Sequence, residues 1–205
     1  MAKGNFHACH AVTAAWEGGW SDHDRDPGGA TMYGVTIGTL SKWRGRQVTK
    51  AEVKALTRSE AEQIYKAWYW DAVKGDQLPA GIDLVIYDFA VNSGPSRAAR
   101  ALQEALGVRQ DGAIGPVTLA ALSKADAHTV INAVCDGRMA FLCELFTWDA
   151  FGKGWSNRVT DVRKKAKGMV GKPTSAPMSN GTNSGKSATF FSLILSFLSN
   201  LFKRA

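Results

Sequence analysis

The apolar positions of the chain recur mainly with the three- and four-residue spacing of α-helices. The first such stretch covers residues 5–16, whose apolar face carries Phe6, Cys9 and Trp16. Over residues 18–36 this periodicity gives way to a glycine- and aspartate-rich segment, which predicts a loop with at most a small β-hairpin. Helical periodicity then returns for most of the remaining chain. The pattern therefore predicts a mainly α-helical body.

Capping and helix-breaking residues divide this body into separate helices. Residues 49–52 and 57–60 both have the spacing of a capping box, in which a threonine precedes a glutamate by three positions. Pro79 is predicted to start a strongly apolar helix, and residues 92–95 to end it and start the next one. Three more helices are predicted, at residues 116–123, 126 to about 148, and 155 to about 167.

The composition changes near residue 167. Residues 168–187 are rich in small and polar residues and predict a flexible linker, and residues 188–205 predict an apolar tail helix. The apolar stretch of about 15 residues would be ~23 Å long as a helix, which is shorter than the ~30 Å hydrocarbon core of a bilayer. Because its serines fall on one stripe, we expect an interfacial anchor or a short self-associating membrane segment.

The formal net charge of +7 is distributed unevenly along the chain. Asp161 is the last acidic residue, and eight of the 25 basic residues follow it. The first 161 residues therefore contain 17 basic and all 18 acidic residues, so that the body is nearly neutral. We expect no nucleic-acid partner, since the body lacks the basic surface that such binding requires.

Several cysteines and aspartates have simple structural interpretations. Three cysteines (Cys9, Cys135 and Cys143) are too few for a disulfide framework, which indicates synthesis in a reducing compartment. Cys9 lies on the predicted core face and is interpreted as a packed thiol. Asp83 and Asp88 belong to the strongly apolar helix and are interpreted as solvated or capping residues.

The candidate catalytic carboxylate lies where the first predicted helix ends. Glu17 is followed directly by two glycines, so its carboxylate stands beside backbone that can bend sharply. The apolar residues before Glu17 are expected to desolvate its carboxyl group and raise its pKa, as a general acid requires. Trp20 and Tyr33 offer flat rings of the kind that stack on sugars.

Two stretches of the sequence resemble a known enzyme family. The residues EGG at 17–19, DPGGAT at 26–31 and GVT at 34–36 resemble the N-terminal motif of the phage-type N-acetylmuramidases of glycoside hydrolase family 108. Residues 103–118 resemble the peptidoglycan-binding motif that follows the hydrolase part in that family. The resemblance implies a lysozyme-like helical fold with two parts, a catalytic region at residues 1–92 and a helical peptidoglycan-binding region packed on it at residues 93–167.

The resemblance also implies an activity and its residues. It implies hydrolysis of the β-1,4 bond between N-acetylmuramic acid and N-acetylglucosamine in peptidoglycan, with Glu17 as general acid. A second group must act on the opposite side of the sugar; Asp26 is the best candidate, and Asp22 and Asp24 are its alternatives. Thr31 is expected to position a water molecule. The residues expected to contact the substrate are Trp20, Tyr33, Tyr87, Asn92 and Ser93.

The same aspartates raise the question of a metal. Asp22, Asp24 and Asp26 alternate as calcium ligands do, but the twelfth position of an EF-hand loop, which requires a glutamate, is Tyr33 here. We therefore expect neither a metal nor a cofactor.

The expected location of the protein follows from its substrate. The N-terminal residues lack the uninterrupted apolar segment of a secretory signal, so we expect synthesis in the cytoplasm without a signal peptide. Action in the periplasm or cell wall then requires a holin or a secretion apparatus, and residues 188–205 are expected to associate with the membrane. The alternative function is a non-catalytic, membrane-tethered peptidoglycan-binding protein with the same fold.

Overall fold

The structure, a computed structural model, describes residues 4–22 and 29–171. Over these ranges the chain is mainly helical, with one two-stranded antiparallel sheet, and this confirms the predicted fold class. Asp24 and Asp26 lie outside the described residues, as do the apolar tail and nearly all of the predicted linker. In the part of the chain that is described, no helix combines the length and the apolar character needed to cross a membrane.

The helices and strands follow one another in a simple order. The strands are β1 (Thr31–Met32) and β2 (Val35–Thr36). The α-helices are α1 (Phe6–Ala14), α2 (Ile37–Arg44), α3 (Lys50–Lys54), α4 (Arg58–Tyr65), α5 (Ile82–Ser93), α6 (Pro95–Ala105), α7 (Pro116–Leu122), α8 (Ala127–Cys143) and α9 (Trp148–Met169). A π-helical turn at Lys66–Trp70 continues α4, and a 3₁₀ turn covers Gly75–Gln77.

The described residues belong to two compact units. The helical unit comprises residues 4–9 and 67–171, and the hairpin unit comprises residues 10–22 and 29–66. The boundary falls within α1, which therefore supplies residues to both units.

The helical unit is organised around α5, which packs against α6, α8 and α9. All 12 residues of α5 are buried. The helix begins at Ile82 and not at Pro79 as predicted, because Gly81 has a φ of 88° and so cannot be part of a right-handed helix. A side chain at Gly81 would meet the carbonyl oxygen of Ala166 in α9, so only glycine allows this close approach.

Asp83 is completely buried at the start of α5, which shows that the predicted solvated role is wrong and the capping role is correct. Its carboxylate accepts hydrogen bonds from the backbone N–H groups of Gly81 (2.8 Å) and Leu84 (2.7 Å) and from Asn5 Nδ2 (2.7 Å). Burial raises the pKa of Asp83 to about 6, although these hydrogen bonds act in the opposite direction.

Asp88 is also completely buried, so the prediction of a solvated or capping residue is wrong here. It forms ion pairs with Arg138 in α8 (2.7 Å) and Arg158 in α9 (2.8 Å). Arg138 also donates a hydrogen bond to Asn92 Oδ1 (3.2 Å). Burial by itself would raise the pKa of Asp88, but the charges of Arg158 and Arg138 outweigh it and hold the pKa well below its ordinary value. These ion pairs therefore link α5 to α8 and α9.

The C-terminal helices divide at a different place from the one predicted. A single helix was expected to extend to about residue 148, but α8 ends at Cys143 and α9 begins at Trp148. The Trp148 ring lies over Gly152, where an added Cβ would be 2.6 Å from the ring, and its centroid is 6.2 Å from that of Trp155. Trp148 thus packs within the first turns of α9 and does not continue the apolar face of α8.

The hairpin unit combines the small sheet with α2, α3 and α4. In the sheet Thr31 is paired with Thr36 and Met32 with Val35, and Ser21 forms a further antiparallel bridge to Thr31. The Thr36 side chain then caps α2 by accepting a hydrogen bond from the Thr39 N–H (3.1 Å). The hairpin predicted near residues 20–36 is therefore present and leads directly into a helix.

The two predicted capping boxes differ in completeness. At the start of α3, Thr49 and Glu52 form both hydrogen bonds of the motif. At the start of α4, Thr57 accepts a hydrogen bond from the Glu60 N–H (3.2 Å), while the Glu60 carboxylate binds Arg44 from α2 in a bidentate manner (2.9 and 2.8 Å). The second glutamate therefore joins two helices.

Candidate active site

Glu17 follows the C-terminus of α1 and points its carboxyl group at the β-hairpin turn. Its backbone N–H donates to the carbonyl of Ala14 (3.1 Å), which continues the helix by one turn. The residue is only 9% exposed. A Cβ added to Gly34 would lie 2.7 Å from Glu17 Oε2 and would also meet the Tyr65 hydroxyl. The carboxyl group and this hydroxyl therefore lie side by side in space that only glycine leaves open.

The hairpin turn has an unusual conformation that Tyr65 supports. Tyr33 and Gly34 both have positive φ angles (51° and 75°), as the two central residues of a type I′ turn require. This conformation is strained for a residue as bulky as tyrosine. Tyr65 Oη donates a hydrogen bond to the Tyr33 carbonyl (2.9 Å), and the Tyr65 ring centroid is 5.1 Å from that of His10. α1 and α4 thus hold the turn beneath Glu17.

Two predicted substrate-binding residues, Trp20 and Tyr33, are half-buried. Tyr33 is part of this turn, and Trp20 directly precedes Ser21, which bridges to β1. The Nζ atom of Lys54 is 5.6 Å from the centroid of the Trp20 ring. The guanidinium carbon of Arg58 is 4.8 Å from the centroid of the Tyr33 ring. We refer to these four side chains as the aromatic–cationic surface.

Of the three candidates for the second catalytic carboxylate, Asp22 is the one that lies within the described residues. Asp26 and its alternative Asp24 lie outside them, and Asp22 is exposed and forms an ion pair with Lys50 (2.9 Å). Across residues 4–22 and 29–171, no three side chains of His, Cys, Asp or Glu converge as a metal site requires. The role of Asp26 stays a prediction.

Thr31 is completely buried at the centre of the small sheet. Its backbone exchanges hydrogen bonds with Ser21 (2.8 and 2.9 Å), and its hydroxyl donates to the Gly29 carbonyl (3.1 Å). In this conformation the hydroxyl fixes the chain at Gly29, where the described residues resume. The predicted role of Thr31 in positioning a water molecule stays a prediction.

The other predicted substrate contacts belong to the helical unit and are buried. Tyr87 has 0% exposure, and its ring centroid is 5.9 Å from that of Phe6 and 5.5 Å from that of Trp70. Asn92 binds Arg138 as described above and accepts a hydrogen bond from the Ser93 hydroxyl (3.1 Å). These contacts are those of core residues, and the substrate roles of Tyr87, Asn92 and Ser93 stay predictions.

The predicted peptidoglycan-binding motif forms a loop that is held by its own polar groups. Gln103, which is 1% exposed, donates from Nε2 to Asp111 Oδ1 (2.7 Å), the Ala113 carbonyl (3.0 Å) and Thr118 Oγ1 (3.3 Å). Its Oε1 atom accepts a hydrogen bond from the Gly112 N–H (2.9 Å). The polar residues of this motif therefore stabilise the loop before α7 through contacts with one another.

The chain matches two family models and a solved structure. The family model of "Glycosyl hydrolase 108" matches residues 10–94, and that of "Predicted Peptidoglycan domain" matches residues 97–160. A solved structure of SagA from Brucella abortus is 50% identical in sequence, covers 82% of this chain and 97% of its own, and has a TM-score of 0.77. The chain belongs to the glycosyl hydrolase 108 family. No protein of curated function matches it.

Membership of this family assigns a general function to the two matched regions. It supports a glycoside hydrolase, and the second domain supports peptidoglycan as the partner. Glu17, Gly34 and Tyr65 all lie within the range matched by the hydrolase family model.

Sequence reasoning missed two of these residues. No sequence pattern singles out Tyr65, and Gly34 enters only through the motif at residues 34–36. A local signal for Gly34 does exist, because Tyr33 and Gly34 are the two residues between two short segments that contain β-branched residues, as in a tight hairpin.

Proposed function

We propose that this member of the family is an N-acetylmuramidase. It would cleave the β-1,4 bond between N-acetylmuramic acid and N-acetylglucosamine in peptidoglycan, with Glu17 as the general acid. The observation that carries the proposal is the buried Glu17 carboxyl group over the Gly34 turn, within the range of the hydrolase family model. Burial favours the protonated form of a carboxyl group, and a general acid must hold a proton before the reaction begins.

The proposed mechanism follows from the needs of glycosidic bond cleavage. Glu17 donates its proton to the leaving oxygen while positive charge develops at the anomeric carbon of N-acetylmuramic acid. Asp26 is proposed, from its position in the motif, to act on the opposite face of the sugar as base or nucleophile. Thr31 is proposed on the same ground to position the attacking water.

The remaining residues are the basis for the proposed binding of the glycan and the proposed location of the enzyme. Trp20 and Tyr33 stack on sugar rings of the glycan, since half-buried aromatic rings offer a rigid apolar face. Residues 188–205 attach the enzyme to the membrane, and it acts on the wall outside the inner membrane.

The bond that is cleaved can be identified from the new reducing ends. Purified peptidoglycan is digested with the protein, reduced with borohydride, hydrolysed and examined for reduced amino sugars. The proposal predicts reduced muramic acid in the digest and none above background in an enzyme-free control. Reduced glucosamine as the main product would show a glucosaminidase, and no new reducing ends would favour the non-catalytic binding protein.

A further inference from the structure

Five cations of the hairpin unit fall into two groups according to their partners. Arg44, Arg46 and Lys50 all form ion pairs, with Glu60 (2.8 Å), Glu52 (2.5 Å) and Asp22 (2.9 Å) respectively. Lys54 and Arg58, by contrast, make no ion pair with any acidic residue in the described ranges. Both are exposed, and both lie over an aromatic ring. The aromatic–cationic surface thus carries two cations whose charge no acidic residue of the described ranges neutralises.

The attraction between each ring and its cation is weak, so the cation can leave the ring to bind another group. A cation over an aromatic ring at an exposed site gains little, because water competes for the charge. Within the described ranges no acceptor takes a hydrogen bond from the Arg58 guanidinium, and a carboxylate can accept two parallel bonds from such a group. The rings therefore position the two cations without neutralising their charge.

The backbone of Tyr33 links this surface to the turn beneath the candidate acid. Tyr33 has a φ of 51°, and Gly34, the residue after it, lies beneath the Glu17 carboxyl group. Strained backbone of this kind persists where the surrounding structure enforces it, and such positions cluster at functional sites. The hydrogen bond from Tyr65 supplies that support here.

We propose that the aromatic–cationic surface recognises carboxylates of the peptidoglycan strand next to the bond that Glu17 cleaves. The rings bind sugars, and Lys54 and Arg58 bind the negative charge that peptidoglycan carries and neutral β-1,4 glycans lack. This inference rests on the proposed muramidase function. It makes the surface a determinant of specificity for an acidic glycan.

Two parts of the substrate carry such carboxylates. The peptide stems contain free carboxylates, and the lactyl group of muramic acid has one when its stem has been removed. Three substrates therefore separate the sources: native peptidoglycan, the same material with its carboxylates converted to neutral methylamides, and glycan strands stripped of their stems by an amidase.

The test compares Lys54→Gln, Arg58→Gln and the double variant with the wild type on these substrates. Each variant's rate on a charged substrate is divided by its own rate on the methylamide, so that differences in the amount of active protein cancel. Lys42→Gln, which alters an exposed lysine near the end of α2, is the matched control. We expect the ratio to fall about ten-fold in the double variant and not to change in the control.

The outcomes separate this inference from the function on which it rests. A fall seen only with native peptidoglycan assigns the stem carboxylate, and a fall seen only with stripped strands assigns the lactyl carboxylate. Equal losses on charged and neutral substrates, or no loss at all, would overturn the inference and leave the muramidase function standing. If the wild type cleaves none of the three substrates, the proposed function itself is wrong.

Discussion

At Gly34 the space that any other residue would fill with a side chain is occupied by two polar groups. The Glu17 carboxyl group and the Tyr65 hydroxyl both meet the position of the missing Cβ. The same hydroxyl binds the carbonyl of Tyr33, whose backbone is strained. We therefore propose Tyr65 as a positioning residue, because its hydroxyl fixes the turn against which Glu17 is held.

Replacing Tyr65 by phenylalanine tests this role. Loss of one hydrogen bond to the turn is expected to lower kcat about five- to ten-fold, while KM changes little, since only the placement of the acid is disturbed. The measurement is steady-state kinetics on soluble peptidoglycan fragments, with the pH profile of kcat and the unfolding midpoint recorded for the same samples. Unchanged kcat and pH profile would show that the hydroxyl is only structural.

The sequence alone predicts some residues of the candidate site and not others. Glu17 is predictable because the two glycines after it and the motif around it are contiguous in the chain. Tyr65 is not, because periodicity assigns it to the apolar side of α4, and only the folded chain brings its hydroxyl to the hairpin. Asp26 stays a prediction from its position in the motif.

At the scale of elements, α5 combines an apolar helix with two buried carboxylates that have opposite electrostatic surroundings. Asp83 meets neutral donors, and burial dominates its pKa. Asp88 meets two guanidinium groups, and their charges dominate its pKa. The two aspartates should therefore respond to pH and to mutation in different ways.

Replacing Asp88 by asparagine removes a carboxylate that forms ion pairs with both Arg138 and Arg158. We expect the free energy of unfolding at neutral pH to fall by about 3–5 kcal/mol, because two buried cations then lose the negative charge of Asp88. Urea denaturation measures this change. The matched control is Asp136→Asn, whose ion pair with Arg163 involves a carboxylate that is 67% exposed and is expected to contribute less than about 1 kcal/mol. Equal losses in the two variants would contradict the account.

Asp83 differs from Asp88 because burial raises its pKa, so that its contribution to the free energy of unfolding decreases as the pH rises. The folded protein keeps its proton up to about pH 6, whereas the unfolded chain releases it near pH 4. The contribution of Asp83 to stability is therefore greatest below about pH 4 and decreases by ~3 kcal/mol as the pH rises to 6. Unfolding free energies between pH 4 and 6 should fall less steeply in Asp83→Asn than in the wild type, and identical slopes would contradict this assignment.

The sequence predicts the helices and the hairpin better than it predicts the partners of their polar residues. The helical spacing and the caps are local, which explains why the start of α6, the capping box of α3 and the hairpin agree with the structure. The burial of Asp88 depends on arginines in α8 and α9, which no local pattern links to α5. The start of α5 depends on how closely Gly81 approaches α9.

At the scale of the whole molecule, the chain joins a hydrolase region to a peptidoglycan domain within one family. The matched ranges, residues 10–94 and 97–160, follow each other in the order that the motifs predict. The predicted boundaries between the catalytic region, the binding region, the linker and the tail stay predictions.

The tail is expected to act independently of catalysis. Deleting residues 188–205 removes the apolar stretch and should shift the protein from the membrane fraction to the soluble fraction, since burial of apolar side chains in the interface is lost. Flotation with phospholipid vesicles measures the binding, and peptidoglycan hydrolysis by the same variant should be unchanged. Undiminished flotation would reject a membrane role for these residues.

The rate at which Glu17→Gln releases reducing sugar from purified peptidoglycan tests the central claim most directly. Glutamine keeps the shape of the side chain but cannot donate the proton, so the rate should fall roughly 10²–10⁴-fold, with the unfolding midpoint and the binding of peptidoglycan close to those of the wild type. A variant that hydrolyses peptidoglycan as fast as the wild type would show that Glu17 is not the general acid.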